Sequence, residues 1–332
     1  MNVKALIRRV NHTLKLHKLF PEHSRILIAC SGGPDSMALL HLLQDIAAHR
    51  HTKYKLGIAV VDHSIRPESK DEVLWLQNQV DALGLSFYTT TFDVPTLSKD
   101  LKLSEETVGR QVRYQWLNEI AHSEGYDYIA VAHHKNDQAE SILAHLIRGT
   151  GLNGLTGMAV VSNDYDIPVI RPLLDVTKAE LLAYLADRKL TYCIDSTNDD
   201  IRYQRNRIRH RIIPELESIN PNVVDAIARL GGSVSEDLAV ISDLTVQAFK
   251  RLVTIDKGEM RLSRRTLRKE PLAIQRRLWQ RLVSSIDSDI TLTTAHQEQL
   301  LDIVNTGEAK TFTIKSIKVI AQCDTIKVYC KH

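Results

Sequence analysis

The sequence predicts an α/β protein: a parallel sheet with helices on both faces, followed by a smaller, mostly helical domain that ends in short strands. Three observations carry this. Short apolar runs alternate with helical patterns of roughly 10–20 residues between Arg25 and Arg148. That alternation stops near Pro214. The 332 residues are 43% hydrophobic and 25% charged, enough apolar material for a sizeable core without disulfides or metals.

Residues 1–20 read as an amphipathic helix, with Val3, Leu6, Ile7, Val10, Leu14 and Leu19 interrupted by Lys4, Arg8, Arg9 and Lys15. A secretory leader is not expected from that pattern. No apolar run approaches the roughly 20 residues of a membrane span. Residues 25–30 form the first strand candidate, followed by Ser31-Gly32-Gly33-Pro34-Asp35-Ser36 and a helix through Met37, Leu39, Leu40, Leu42 and Leu43. The second strand candidate, 56–61, ends at Asp62-His63, and a helix follows from about 68 to 83. The third spans 87–92, before a helix over about 104–122. The fourth, 128–132, ends at His133-His134 and precedes a helix to about Arg148. Ligands of parallel sheets bind at the carboxyl ends of the strands. Ser31, Asp62 and His133 stand at such ends.

Beyond Pro214, residues 222–252 read as helices broken at Gly231-Gly232. Residues 271–305 read as further helix, and 311–330 as short strands. Punctuation at 214–221 places the boundary between a domain of residues 1–215 and one of 216–332. Cys30, Cys193, Cys323 and Cys330 have neither disulfide-framework nor zinc spacing, which fits a reducing cytoplasm. The net charge of +3 divides into +7 for residues 201–332 and −4 for residues 1–200. A basic second part suggests a polyanionic partner, with chance clustering as the alternative.

The turn at 31–36 has a physical use. Two glycines let backbone approach an anion, and amides of the loop and first helical turn point at a phosphate. Ser31 and Ser36 add hydroxyls, and Pro34 suits a first helical turn. Asp35 beside phosphate is repulsive unless a cation bridges them, which implies Mg²⁺. An ordinary tight turn with an N-cap is the alternative. The literal Gly149-Thr150-Gly151-Leu152-Asn153-Gly154 follows a helix, so it reads as a C-cap and loop and not as a dinucleotide site.

The 31–36 turn resembles the loop of the N-type ATP pyrophosphatases of the PP-loop superfamily. Residues 61–69 (VDHSIRPES), 105–114 with Arg110, Arg113 and Tyr114, and 133–140 (HHKNDQAE) narrow the resemblance to the tRNA(Ile)-lysidine synthetases. So do 148–152, 171–174 and 203–209 (YQRNRIR). The resemblance implies a Rossmann-like, adenine nucleotide alpha hydrolase-like fold. It implies that ATP adenylates the wobble cytidine of a CAU-anticodon tRNA(Ile), and that free L-lysine displaces AMP to form lysidine. Asn136 stands where many relatives carry Asp, and Ser141 where Thr is usual. An extra C-terminal domain carried by some relatives is not expected here, and a homodimer is a further expectation.

Specific residues are expected to do this work. Ser31, Gly32, Gly33, Pro34, Asp35, Ser36, Asp62 and His63 would hold ATP, with Asp35 on the metal. His133, Asp137 and Glu140, spaced i, i+4, i+7, share one helix face, where carboxylates can hold a substrate ammonium. Arg110 and Arg113 suit phosphate contact. Arg202, Arg205, Arg207 and Arg209 lie in an acid-free stretch suited to RNA phosphates, with Arg205 reaching the active site. Arg264, Arg265 and Arg268 extend that track or form a solvated helix surface. Two rivals stand beside this reading: a tRNA-thiolating relative and a non-catalytic ATP-binding module.

Overall fold

The computed structural model describes residues 3–49, 53–64, 69–194, 203–256 and 258–331. The chain forms two compact units, Met1–Gly232 and Ser233–His332, each described by itself. The division falls inside a helix, beyond the Pro214–Pro221 punctuation.

The first unit opens with α1 (Val3–Leu16), β1 (Arg25–Ala29), α2 (Pro34–His49) and β2 (Lys55–Asp62). Next come α3 (Ser69–Ala82), β3 (Ser86–Thr91), α4 (Val94–Leu101), α5 (Glu105–Ser123), β4 (Tyr128–Ala130) and α6 (Lys135–Arg148). Then follow α7 (Leu152–Leu155), β5 (Val161–Ser162), β6 (Val169–Ile170), α8 (Lys178–Asp187) and α9 (Gln204–Arg207). The chain runs from α9 through a π-helical turn, Ile208–Ile212, into α10 (Ile213–Ile219) and α11 (Val223–Leu252).

The strand order is β3-β2-β1-β4-β6-β5. β1 pairs in parallel with β2 and β4, β2 with β3, and β4 with β6. The sheet is therefore the expected parallel one, with one addition: β5 lies antiparallel on β6 at the edge. Side chains alternate along each strand. Ile26, Ile28, Ile58, Val60, Ala130 and Ile170 face a core built with α1, α2, α3 and α8. Leu27, Ala59, Ile129, Val131 and Val169 face the opposite core, with Tyr114, Leu117 and Ala121 of α5. Both faces are covered, as a parallel sheet requires. Helix starts follow their side chains. Ser104 caps α5 by accepting from Thr107 N–H, and Thr177 and Glu180 form a capping box on α8.

Gly231-Gly232 does not break the helix as expected. α11 runs unbroken through both for 30 residues. A Cβ on Gly231 would come within 2.8 Å of Ile142 Cδ1 and 3.2 Å of the Thr156 carbonyl oxygen, so glycine here permits close packing. A Cβ on Gly232 would meet nothing within 4 Å. Gly149 caps α6 with φ +78°, as the C-cap reading expected.

The second unit holds the rest of α11, β7 (Thr254–Asp256), β8 (Glu259–Ser263), α12 (Arg264–Arg268), α13 (Leu272–Ser284), α14 (Thr294–Thr306), β9 (Lys310–Ile314), β10 (Ile317–Gln322) and β11 (Thr325–Cys330). Its antiparallel sheet, β7-β8-β11-β10-β9, packs one face on Leu278, Trp279, Leu282, Leu300 and Val304. The 271–305 stretch, read as further helix, forms the two helices α13 and α14. The β7–β8 hairpin was not anticipated, because all three residues of β7 are exposed and carry no apolar alternation.

Gly232→Ala should raise stability by about 0.5–1 kcal/mol through helix propensity, whereas Gly231→Val should lower it by about 1–3 kcal/mol through overpacking. Urea midpoints of the two variants check the contrast.

Candidate active site

β1 leads through Cys30 into Ser31-Gly32-Gly33, and α2 begins at Pro34. Gly32 has φ +78°, a left-handed conformation that an L side chain resists. Its carbonyl accepts from Cys193 N–H at 2.9 Å, which pins the turn from outside. The first internal bond of α2 runs from Met37 N–H to Gly33 O at 3.0 Å. The amides of Asp35 and Ser36 precede it and so have no intrahelical acceptor, the arrangement that binds phosphate at helix N-termini. Ser36 Oγ donates to Gly33 O at 3.0 Å and lies 3.5 Å from Ser31 Oγ. Burial pushes the Cys30 thiol up, so this cysteine stays protonated and packs.

Asp35 opens α2 and accepts from Lys178 Nζ at 2.6 and 2.8 Å, while His134 Nε2 lies 3.6 Å from its Oδ2. Burial raises the Asp35 carboxyl, but His134 and Lys178 outweigh it and leave the group below its ordinary range. Lys178 is the first residue of α8, and its backbone N–H donates to Asn136 Oδ1 at 3.0 Å. Asn136 thus holds the backbone of the lysine that meets Asp35. His134 is 3% exposed. Its Nδ1 accepts from Asp137 N–H at 3.4 Å, and Asp137 Oδ2 accepts from His134 N–H at 2.9 Å, a capping box on α6. His134 Nε2 faces Asp35.

Asp137 and Glu140 do share a face of α6, but His133 does not join them, because the helix starts at Lys135 with His134 as its N-cap, and the two acids do not stand open. Arg205 donates through Nε to Glu140 Oε2 at 2.9 Å and through a terminal nitrogen to Asp137 Oδ1 at 2.8 Å. Arg209 donates to both Glu140 oxygens at 2.7 and 2.9 Å, and to Asp137 Oδ1 at 3.3 Å. Glu140's side chain is 1% exposed and Asp137's 10%, so unpaired charge there would be costly. Burial raises the Asp137 carboxyl, and His134 and Arg205 more than reverse it. Burial likewise pulls both guanidiniums down, and the two acids outweigh it, so both arginines stay protonated. The π-helical turn at 208–212 begins between the two arginines and continues their helix.

Asp62, 5% exposed, accepts from Ser64 N–H at 2.8 Å and so caps the turn that ends β2. Residues 65–68 of that motif lie outside the described residues. Arg113 donates to His63 Nε2 at 3.1 Å. Burial first and Arg113 second push His63 down to about 4, against the pull of Asp62. Burial pushes His133 down to about 3, with Asp137 opposing and Arg171, Arg205 and Arg110 reinforcing. Both rings are therefore neutral at pH 7, and each has a buried Nδ1 without a partner. Arg110 lies over the Tyr114 ring at 4.8 Å, whereas Arg113 meets His63.

Of the arginines expected on RNA, Arg202 lies outside the described residues, Arg207 is exposed, and Arg205 and Arg209 join the acid pair. In the second unit Arg264 is 3% exposed and donates to Glu308 O at 2.7 Å. Arg268 donates to Val304 O and Asn305 O, closing the last turn of α14. Arg265 presents an exposed side chain. His134 and Lys178 were missed by the sequence reading. Signals for both existed: His134-x-x-Asp137 and Thr177-x-x-Glu180 are capping-box spacings.

The neutral histidines set a pH dependence. Folded His63 and His133 protonate only near about 4 and about 3, while unfolded histidine protonates near 6.5. Between those values the unfolded chain binds more protons, so stability should fall as pH drops from 6.5 toward 4. Urea midpoints should show a shallower decline in His63→Gln and His133→Gln; an unchanged slope would contradict neutral rings.

A family model described as a PP-loop domain matches residues 4–216. The tRNA(Ile)-lysidine synthase of Thermosipho africanus is 39% identical over 247 residues, 74% of this chain and 56% of its own length. That of Nostoc sp. is 33% identical, covering 84% of this chain and 83% of its own. That of Caldanaerobacter subterraneus subsp. tengcongensis is 30% identical, covering 98% and 68%. The chain spans about half the length of several curated relatives it matches, at 56%, 48% and 52%. Among solved structures, the U34-tRNA thiolase NcsA from Methanococcus maripaludis, with its 4Fe-4S cluster, superposes with TM-score 0.59. At 20% identity, over 70% of this chain and 78% of that one, this is a likeness of fold. Because the domain model covers most of the chain, and relatives at 30% and 33% identity are matched over 68% and 83% of their own length, the chain belongs to the PP-loop domain family and, within it, to the tRNA(Ile)-lysidine synthase family.

Proposed function

We propose that this chain ligates free L-lysine to the wobble cytidine of a CAU-anticodon tRNA(Ile), using ATP and releasing AMP and pyrophosphate. The observation that carries the proposal is the continuity of the site. The phosphate turn, through Asp35 and His134, touches the acid pair that suits an ammonium. Curated relatives named tRNA(Ile)-lysidine synthase support the same reading.

The chemistry proceeds in two transfers. The cytosine 2-carbonyl oxygen attacks the α-phosphorus of ATP, and the bond to pyrophosphate breaks. The lysine ε-amine, after losing a proton, attacks ring carbon 2, and the carbon–oxygen bond to AMP breaks. The amides at the start of α2 would hold ATP phosphate oxygens. Lys178 adds positive charge where pyrophosphate departs. Magnesium fits beside Asp35, because Mg²⁺ is commonly held by one or two carboxylates with substrate phosphates; there it would neutralise phosphate charge. Asp137 and Glu140 would orient the lysine ammonium, which must first exchange with a guanidinium of Arg205 or Arg209. Asp137, held below its ordinary range, is a poor proton acceptor and suits orientation better than base catalysis. Exposed arginines such as Arg207 and Arg265 would contact RNA phosphates, with residues 216–332 as the RNA-binding part.

No helix among the described residues is long and apolar enough to cross a membrane. A cytoplasmic setting and a homodimer belong to the same proposal. The thiolase alternative has less support, since its structural likeness extends to fold alone.

With ATP, magnesium, lysine and CAU transcript, the chain should release pyrophosphate. Asp35→Ala should lower that release at least a hundredfold, and Glu140→Gln should raise the KM for lysine at least tenfold. Near-normal turnover of Asp35→Ala would refute the assignment of the phosphate turn.

A further inference from the structure

We propose that Arg110, held on a stack of two tyrosine rings, is the platform on which the target pyrimidine of the RNA lies during adenylation. This deepens the function proposed above and rests on it.

Arg110 Cζ lies 4.8 Å over the centroid of Tyr114. Tyr114 is 3% exposed and lies nearly parallel to Tyr165, with centroids 5.2 Å apart and planes at 10°. Tyr114 is thus fixed by packing, with Tyr165 half-buried beside it, while Arg110 itself is exposed. Among the described residues the other site arginines are held by hydrogen bonds: Arg113 to His63, Arg171 to Ala159 O, and Arg205 and Arg209 to the acid pair. Arg110 is held by a ring face, and among the described residues it meets no carboxylate at salt-bridge distance. Arg110 also stands close enough to His133, at the carboxyl end of β4, for its charge to act on that ring. α5 packs on the sheet face opposite α2, so the platform is separate from the helix that presents the phosphate turn.

A guanidinium is planar, delocalised and weakly hydrated, and it stacks on aromatic faces. An exposed guanidinium held over the Tyr114 ring can present a flat cationic surface to a base. Single-stranded RNA bases that must be displayed to an enzyme stack on aromatic or arginine planes. The contact needs the flat shape more than the charge, which separates it from a phosphate contact.

The test compares Arg110→Lys, which keeps the charge and loses the plane, with Arg110→Tyr, which does the reverse. The RNA is a CAU stem–loop carrying fluorescent pyrrolocytidine at the target position. Wild type should quench the fluorophore on binding. Arg110→Lys should lose the quench and show a KM for RNA raised roughly tenfold or more, whereas Arg110→Tyr should retain most of both. Quenching of ethenoadenosine triphosphate should be unchanged in both variants. Full retention by Arg110→Lys would overturn the proposal, as would weakened ethenoadenosine triphosphate binding with RNA unaffected. Pyrophosphate release by wild type with unmodified CAU RNA is measured alongside. Its absence would overturn the function itself, while its presence with an unaltered Arg110→Lys would overturn the platform alone.

Discussion

His134 joins the two halves of the site. Its ring is buried, its Nδ1 takes the Asp137 amide, and its Nε2 faces Asp35. One histidine at the end of β4 therefore caps α6 and borders the first residues of α2. From there the contacts continue without interruption: Lys178 on Asp35, Asp35 near His134, His134 on Asp137, and Asp137 and Glu140 on Arg205 and Arg209. The acids of this chain need these partners. A carboxylate as buried as Glu140 is tolerable only with cations and hydrogen bonds around it. That requirement ties the 203–213 segment to α6.

The same chain of charges suits a site that must admit charged ligands. Each carboxylate that an external cation would use already has an internal one: Lys178 on Asp35, and Arg205 and Arg209 on the acid pair. In the proposed reaction, binding is then an exchange of partners. The two neutral histidines follow a different logic. Burial first, with neighbouring arginines reinforcing it, keeps the rings of His63 and His133 uncharged.

Much of the first unit was legible in the sequence because both physical signals were strong. Three apolar runs with polar residues at their ends gave β1, β2 and β4, and their burial explains why they read as continuous apolar stretches, whereas β3 holds no fully buried residue. The phosphate turn was legible because Gly32 needs its left-handed conformation. The two-residue strands β5 and β6 carry too few residues for any periodicity to register. Gly231-Gly232 misled because a glycine pair in a helix signals a break locally, whereas its use here is a close approach to Ile142 and Thr156, which only the tertiary structure reveals. The pairing of Asp137 and Glu140 with Arg205 and Arg209 links residues 65 to 72 positions apart. No local pattern encodes such a contact. Arg264 and Arg268 looked like surface charge by count, yet both donate to main-chain carbonyls of the second unit.

The proposed reaction requires adenylate to pass to the RNA before lysine joins. The most direct measurement omits lysine. Chain, magnesium and CAU transcript are incubated with ATP labelled at the α-phosphate, and the RNA is recovered and digested. The account predicts label attached covalently to the anticodon cytidine as AMP, discharged when lysine is then added. RNA free of label, in a preparation that completes the full reaction once lysine is present from the start, would contradict it.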